Sequence, residues 1–308
     1  MNIRFFTLLY IASTSEKQKL RGKEISGEER ILIYLRNCHV LNHSLQINGF
    51  SKLTILTNEK EYLYKLQQKY KLSFEIEEIF FDLPVPKNIG FYSAHFKIDA
   101  YRYLGTLANT YSFLLDNDLI CLQKLPNHMK ELINQRIAVH YAFPTYRVEK
   151  HDINIMKYIE PQIITGEWSG GEFIGGDPNF YTQLYNEISS FVKRYFDRIN
   201  EMFHQGDEML TSIAIEKMKL NGWKIIDGGT VDLNYRYYSI FENKTIDNYK
   251  SWMYHLICDK HFLANIDLVK YNTNGDFIRM YNHYFHTTIK IKKIYHTLKK
   301  KFLTYKPQ

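Results

Sequence analysis

Cysteine is scarce in this chain of 308 residues, and the three present, Cys38, Cys121 and Cys258, are odd in number and show no CxxC spacing. That argues against a disulfide framework and against a zinc site, and a reducing cytoplasm is the compartment expected. Long hydrophobic runs are missing too. None approaches the ~18 residues of a bilayer-spanning helix, so a soluble or peripheral protein is expected. The apolar start, from Met1 to Ser13, lacks a basic leader and an Ala-x-Ala cleavage pattern, which reads as a buried first strand rather than a secretory signal. No internal repeat, low-complexity linker or sharp composition shift divides the chain, so one domain is expected. Acid is absent from the segment Lys290–Lys306, which holds seven lysines and no arginine, equal to the whole net charge of +7. Its apolar residues Ile291, Ile294, Tyr295, Leu298 and Phe302 recur at helical spacing. Such a helix either docks on its own domain or lies in an anionic membrane interface. With no arginine there and no recognised module elsewhere, nucleic acid is not an expected partner.

What the chain does have is a core, with 45% hydrophobic residues, enough for one large α/β domain. A strand is expected over residues 3–11, a polar loop over 13–29, and a helix over 29–48 that ends at Asn48-Gly49. A strand over 52–57, a helix over 59–70 and a strand over 72–81 follow. This alternation predicts a mainly parallel sheet flanked by helices. A helix over 93–107 then leads into the buried-looking strand Tyr111–Leu115. The second half is less regular, with strands near 136–141 and 173–175, helices over 178–202 and 207–220, and a tyrosine-rich stretch over 235–254.

The strand Tyr111–Leu115 runs straight into Asp116-Asn117-Asp118, the most informative feature of the sequence. Side chains two apart in an extended chain point the same way, so the two carboxylates can serve one cation. Hard oxygen ligands suit Mg²⁺ or Mn²⁺, which bind substrate phosphates alongside one or two carboxylates and so imply a diphosphate. In open α/β sheets ligands sit beyond the carboxyl ends of the strands, where this pair falls. Lys97, on the preceding helix, can reach a phosphate as a point charge, and Asp99 beside it can orient ribose or phosphate. Gly170-Gly171-Glu172 with Gly175-Gly176 lets backbone approach a ligand closely, and Trp168 offers a flat aromatic face. Asp207-Glu208 opens a helix after Gly206, where carboxylates are favoured by the free N–H groups and the dipole.

In this order the elements resemble a DxD-containing bacterial GT-A glycosyltransferase, over most of residues 3–265. The points of likeness are the strand ending Leu53–Asn58, the helix His95–Tyr103, Asp116-Asn-Asp118, Trp168–Gly176, Gly206–Leu210 and Tyr254–Lys260. The resemblance implies a Rossmann-like mixed α/β fold, divided into a nucleotide-sugar half (1–125), an acceptor half of the same domain (126–265) and a basic C-terminal helical extension (266–308). It implies Mn²⁺ or Mg²⁺ bound by Asp118, by Asp116 or with Asp116 on the ribose instead, and by His255. Asp207 or Glu208 becomes the general base of an inverting enzyme. Gly170, Gly171, Glu172, Asn117, Lys97 and Asp99 become donor-binding residues, and Tyr10 and Asn58, at the ends of the first two strands, hold base and ribose. The implied substrates are a nucleotide-diphosphate sugar, with UDP as the family's usual nucleotide, and a glycan or lipid-linked acceptor in capsule or lipopolysaccharide assembly at the inner membrane face. Two other readings are weighed. A sugar nucleotidyltransferase opens with a glycine-rich basic loop, and here residues 12–23 hold only Gly22. A non-catalytic basic protein would bind membrane or nucleic acid through the tail and ignore loss of the two aspartates.

Overall fold

The computed structural model describes residues 1–12, 27–144, 147–242, 245–246 and 250–291. Strand and helix alternate through the first half as the sequence predicts. β1 (Asn2–Leu8), β2 (Leu53–Thr57), β3 (Glu75–Glu78) and β4 (Thr110–Leu115) are parallel and lie in the order β3-β2-β1-β4. They are joined through α1 (Gly27–Ile47), α2 (Lys60–Tyr70) and a 3-10 turn over Tyr92–Phe96 that runs into α3 (Lys97–Leu104). The second half extends the same sheet. β6 (Ala138–Phe143), β7 (Trp168–Gly176) and β8 (Ile225–Asp227) complete the order β3-β2-β1-β4-β7-β6-β8, with only β7 antiparallel to its neighbours.

Side-chain alternation assigns each strand to two cores. Phe6, Leu114 and Ile174 face one side with α3, α6 (Pro178–Arg198) and α7 (Asp207–Leu220), while Phe5, Phe113 and Phe173 face the other with α1. Adjacent residues go to opposite faces as the two-residue period of a strand requires. Because both faces are covered, β4 is buried along its whole length, and the apolar residues of β1 and β4 run together as Phe5-Phe6 and Phe113–Leu115 rather than alternating with polar ones. α6 starts where the sequence predicts, with Asp177 accepting from Phe180 N at 2.9 Å and Pro178 at the first helical position.

Several elements differ from expectation. β3 is only four residues long, and β7 extends to nine because its glycine-rich stretch is wholly buried between β4 and β6. α4 (Asn127–Asn134) and α5 (Lys150–Ile159) are additional to the elements expected from the sequence. The tyrosine-rich stretch contributes β9 (Asn234–Arg236) and β10 (Met253–His255), which form a second sheet with β5 (Leu119–Cys121) in the order β5-β10-β9. Strands of three residues carry no readable period. α8 (Lys260–Leu263) and α9 (Asn274–Tyr284) follow, and α9 passes into a π-helical turn over Phe285–Ile289. Tyr281, Phe277 and Phe285 of this extension pack with Ile120, Tyr254 and Leu256 in a third core beside the small sheet. Most of the expected loop over 13–29, and the lysine-rich tail beyond residue 291, fall outside the described residues. No helix among the described residues is long and apolar enough to cross a membrane.

Candidate active site

The acidic turn leaves the carboxyl end of β4 and is tied to two other strands by backbone. Asp116 N donates to Glu172 O of β7 at 2.9 Å, and Asp118 O accepts from Leu256 N at 2.9 Å, just past β10. β5 pairs antiparallel with β10 so that Leu119 lies opposite His255. That register carries an imidazole from 137 residues away to the aspartates, and one ligand atom each from Asp116, Asp118 and His255 lie within 4.8 Å of one another. Asp118 and His255 are buried and Asp116 is partly exposed, which leaves one open side.

The charges around this centre come from six strands and helices. Lys97 Nζ lies 2.8 Å from Asp116 Oδ1 and 3.3 Å from Asp207 Oδ2, and donates to Gly171 O at 2.8 Å. Lys260 of α8 makes a short contact with Asp118 Oδ2, and His255 Nε2 lies 3.1 Å from Asp118 Oδ1. Glu172 is held by Arg236 Nε at 2.6 Å and faces His255 Nδ1 at 3.4 Å. Arg236 Nη2 also reaches Glu208 Oε1 at 3.0 Å, while Trp168 Nε1 donates to Glu208 Oε2 at 2.7 Å. Five carboxylates, of Asp116, Asp118, Glu172, Asp207 and Glu208, therefore face three permanent cations, Lys97, Arg236 and Lys260. With His255 neutral, as a metal ligand must be, the excess is two negative charges, the complement of a divalent ion; with the imidazole protonated it is one.

The pKa shifts follow from this crowding. Burial opposes ionisation of Asp118, yet His255 and Lys260 hold its carboxyl well below the usual carboxylate range. Burial would lower His255, but the Asp118 and Glu172 carboxylates override it and raise its pKa to about 9. Burial likewise opposes a charged Glu172, and Arg236 and His255 outweigh it and hold the carboxyl low. The two acids that open α7 diverge. Burial raises Asp207 against the pull of Lys97, with Glu208 and Asp116 adding to the rise. Glu208 feels the same burial but is lowered by Arg236 and His204.

Two glycines make the crowding possible. A Cβ on Gly171 would stand 2.6 Å from Asp207 Oδ2 and 2.9 Å from Lys97 Nζ, and one on Gly170 would stand 2.9 Å from Arg236 Nη2. The ligand set suits the cation read from the sequence: two carboxylates and an imidazole are donors that Mn²⁺ accepts, and Mg²⁺ takes the oxygens. Asp118 Oδ1 and Asn117 Oδ1 are buried oxygens with no aligned hydrogen bond, which is where a ligand would find free lone pairs, while His255 Nδ1 faces Glu172 and leaves Nε2 on the Asp118 side.

The structure thus brings together Asp116, Asn117, Asp118, Lys97, Gly170, Gly171, Glu172, Asp207, Glu208 and His255. Other residues marked in the sequence have local tasks. Asn58 pairs both ways with the Ile11 backbone, accepting from N at 2.8 Å and donating to O at 3.0 Å. Tyr10 stacks on Phe96 with centroids 3.9 Å apart. Asp99 is buried, accepts weakly from Asp82 N and Leu83 N, and pairs with Arg102 at 3.2 Å, so it organises the turn after β3. Trp168 is 2% exposed and offers no open face for a sugar, because its ring belongs to the core and its N–H holds Glu208. Arg236, Lys260 and His204 were not singled out. Lys260 closes the segment Tyr254–Lys260 already marked, five residues after His255, whereas nothing local distinguishes Arg236 among the tyrosines around it.

No protein-family model matches the sequence, and no curated protein does either. Solved structures do match. Mouse xyloside xylosyltransferase 1 in its apo form superposes with a TM-score of 0.51 over 84% of this chain and 99% of its own, at 13% identity. The fold is that of the GT-A glycosyltransferases. An active-site mutant of LgtC matches with a TM-score of 0.52, 11% identity and coverage of 83% and 87%. The galactosyltransferase LgtC in complex with donor and acceptor sugar analogs matches with a TM-score of 0.52, 9% identity and coverage of 86% and 95%. At these identities the likeness is one of fold.

Proposed function

We propose that this protein is a metal-dependent glycosyltransferase that moves a sugar from a nucleotide diphosphate, with UDP the first nucleotide to test, to an acceptor hydroxyl. The observation that carries the reading is the convergence of Asp116, Asp118 and His255 at the carboxyl end of β4, in a centre whose carboxylates outnumber its permanent cations. Mn²⁺ or Mg²⁺ held by these three residues would neutralise charge on the diphosphate oxygens as a Lewis acid. Lys97 and Lys260, each already against one of the aspartates, bring ammonium groups to the same phosphates. Arg236 keeps Glu172 and Glu208 ionised and oriented beside the glycine strand.

For the general base, Asp207 is favoured over Glu208. Asp207 Oδ2 takes no aligned hydrogen bond, and burial raises its pKa towards the range in which a carboxylate accepts a proton well. Both Glu208 oxygens already have donors, in Arg236 and Trp168. Asp207 acting on the acceptor hydroxyl gives inversion at the anomeric carbon. The acceptor is read as a hydroxyl of a cell-surface glycan or lipid-linked saccharide. Phe91, 63% exposed with φ of 51°, lies 4.8 Å from the His204 ring, which pairs with Glu208 at 3.5 Å, and exposed rings of this kind pack against sugar C–H faces. A location at the inner face of the membrane rests on the lysine-rich tail of the sequence.

The test is incubation of the full chain with UDP- and GDP-sugars and saccharide acceptors, with and without Mn²⁺, reading nucleotide release and the product anomer by NMR. Metal-dependent release that Asp118→Asn abolishes, with an inverted product lost in Asp207→Asn, is expected. Release that ignores metal and Asp118 overturns the function, and a product of retained configuration overturns the base.

A further inference from the structure

Two of the groups that meet Asp118 come from one short segment, His255 at the end of β10 and Lys260 at the start of α8. The turn between them is closed by Asp259 N donating to Leu256 O at 2.9 Å, while Leu256 N donates to Asp118 O at 2.9 Å. The Asp259 side chain is 1% exposed and engages a different set of partners. It accepts from Ser239 Oγ at 2.9 Å, Tyr281 OH at 2.8 Å and Tyr284 OH at 3.3 Å. Ser239 lies three residues beyond Arg236, and both tyrosines belong to α9. One carboxylate therefore joins the turn carrying His255 and Lys260 to the exit of β9 and to the C-terminal helix. The reaction described above uses none of these four side chains.

The surroundings make the joint rigid. Phe262 stacks on Tyr284 at 4.5 Å and packs edge-on against Tyr281 at 5.3 Å, and Tyr237 packs edge-on against Tyr281 at 5.8 Å. Burial, with the Asp259 charge adding to it, pushes the Tyr281 hydroxyl far above its ordinary pKa, so it stays protonated and donates. A carboxylate in so apolar a setting is stable only with its donors in place, and charge-assisted hydrogen bonds of this kind fix direction as well as energy.

We propose that Asp259, held by Tyr281 and Tyr284, is a positioning residue that sets the turn presenting His255 and Lys260 to Asp118, which makes α9 part of the cation site's machinery rather than an appendage. The inference rests on the reading of Asp116, Asp118 and His255 as a cation site. Groups behind metal ligands typically control affinity by 10- to 100-fold.

The experiment is a Mn²⁺ titration of the full chain followed by EPR, on wild type, Asp259→Asn, Tyr281→Phe and Asp118→Asn. Phe285→Leu, a buried change in the π-helical turn beyond α9, serves as a stability control whose Tm loss is compared with that of Tyr281→Phe. Tyr281→Phe decides the matter, because it removes one oxygen and keeps the ring. A Kd raised about tenfold or more in Tyr281→Phe and Asp259→Asn, with Phe285→Leu within about twofold of wild type, supports the proposal. Wild-type affinity in Tyr281→Phe, or an equal loss in the control, overturns it. Wild-type Mn²⁺ binding that Asp118→Asn leaves untouched removes the cation site itself, and with it the premise.

Discussion

Glu216 and Asp118 are both withdrawn from solvent, 4% and 0% exposed, and they are satisfied in opposite ways. Glu216 accepts from Ile164 N, Thr165 N, Thr165 Oγ1 and Gly166 N, all between 2.7 and 3.0 Å. Its four neutral donors close the loop that leads into β7. Asp118 instead faces an imidazole and an ammonium, and its Oδ1 has no aligned donor. A carboxylate with fixed neutral donors does a structural job and has no capacity left for a ligand. One that faces titratable and mobile cations, with a free lone pair, can exchange them for a ligand. The same contrast separates Asp152, whose oxygens accept from Phe203 N and His204 N at 2.9 Å, from Asp207, whose Oδ2 has no aligned hydrogen bond and faces the Lys97 ammonium at 3.3 Å.

The largest expected effect is on the saturated side. Glu216→Ala leaves three backbone N–H groups and a hydroxyl without partners and is expected to cost about 4 kcal/mol of folding stability by urea denaturation. A cost under about 1 kcal/mol would erase the distinction. Gly171→Ala comes next, because its Cβ meets Asp207 and Lys97 at sub-contact distance. A loss of about 1–3 kcal/mol is expected, together with loss of any nucleotide-induced rise in Tm.

A smaller effect is expected from pH. Glu167, hydrogen-bonded by His140 and Lys219, has its pKa lowered to about 2 against the pull of burial. A depressed folded-state pKa means the contribution is complete above the ordinary carboxylate range and is lost as pH falls towards about 2. With a third of the side chain exposed, screening leaves about 1 kcal/mol, which a Glu167→Gln variant lacks at neutral pH and regains relative to wild type in acid melts. The smallest expected change in stability is that of Asp207→Asn. Its raised pKa means that ionisation costs the fold more as pH rises through it, so removing the charge shifts neutral-pH stability by less than about 1 kcal/mol while abolishing transfer. A large loss of stability would move Asp207 to the saturated class.

Much of this was legible where a local rule applies. α7 begins and ends at Asp207 and Leu220 as its acids and apolar spacing require, and β2 and β4 stand where short apolar runs end in polar residues. Asp116 and Asp118 could be read because they directly follow the apolar run of β4, although a turn over 117–118 rather than an extended strand brings them to one centre. Arg236 and Lys260 could not, because their roles depend on the β5-β10-β9 register, which three-residue strands do not announce. Asn58, Tyr10 and Asp99 stand near strand and helix ends, and the contacts of their side chains with Ile11, Phe96 and Arg102 could not be read from the sequence.

The most direct test of the central claim is the Tm of wild type and Asp118→Asn with UDP and GDP, each with and without Mn²⁺. A nucleotide at about 100 times its Kd adds about 2.7 kcal/mol to folding stability. The account predicts that shift for one nucleotide, in wild type, only with metal, and its absence in Asp118→Asn. Equal stabilisation of both proteins, or none with any combination, would contradict it.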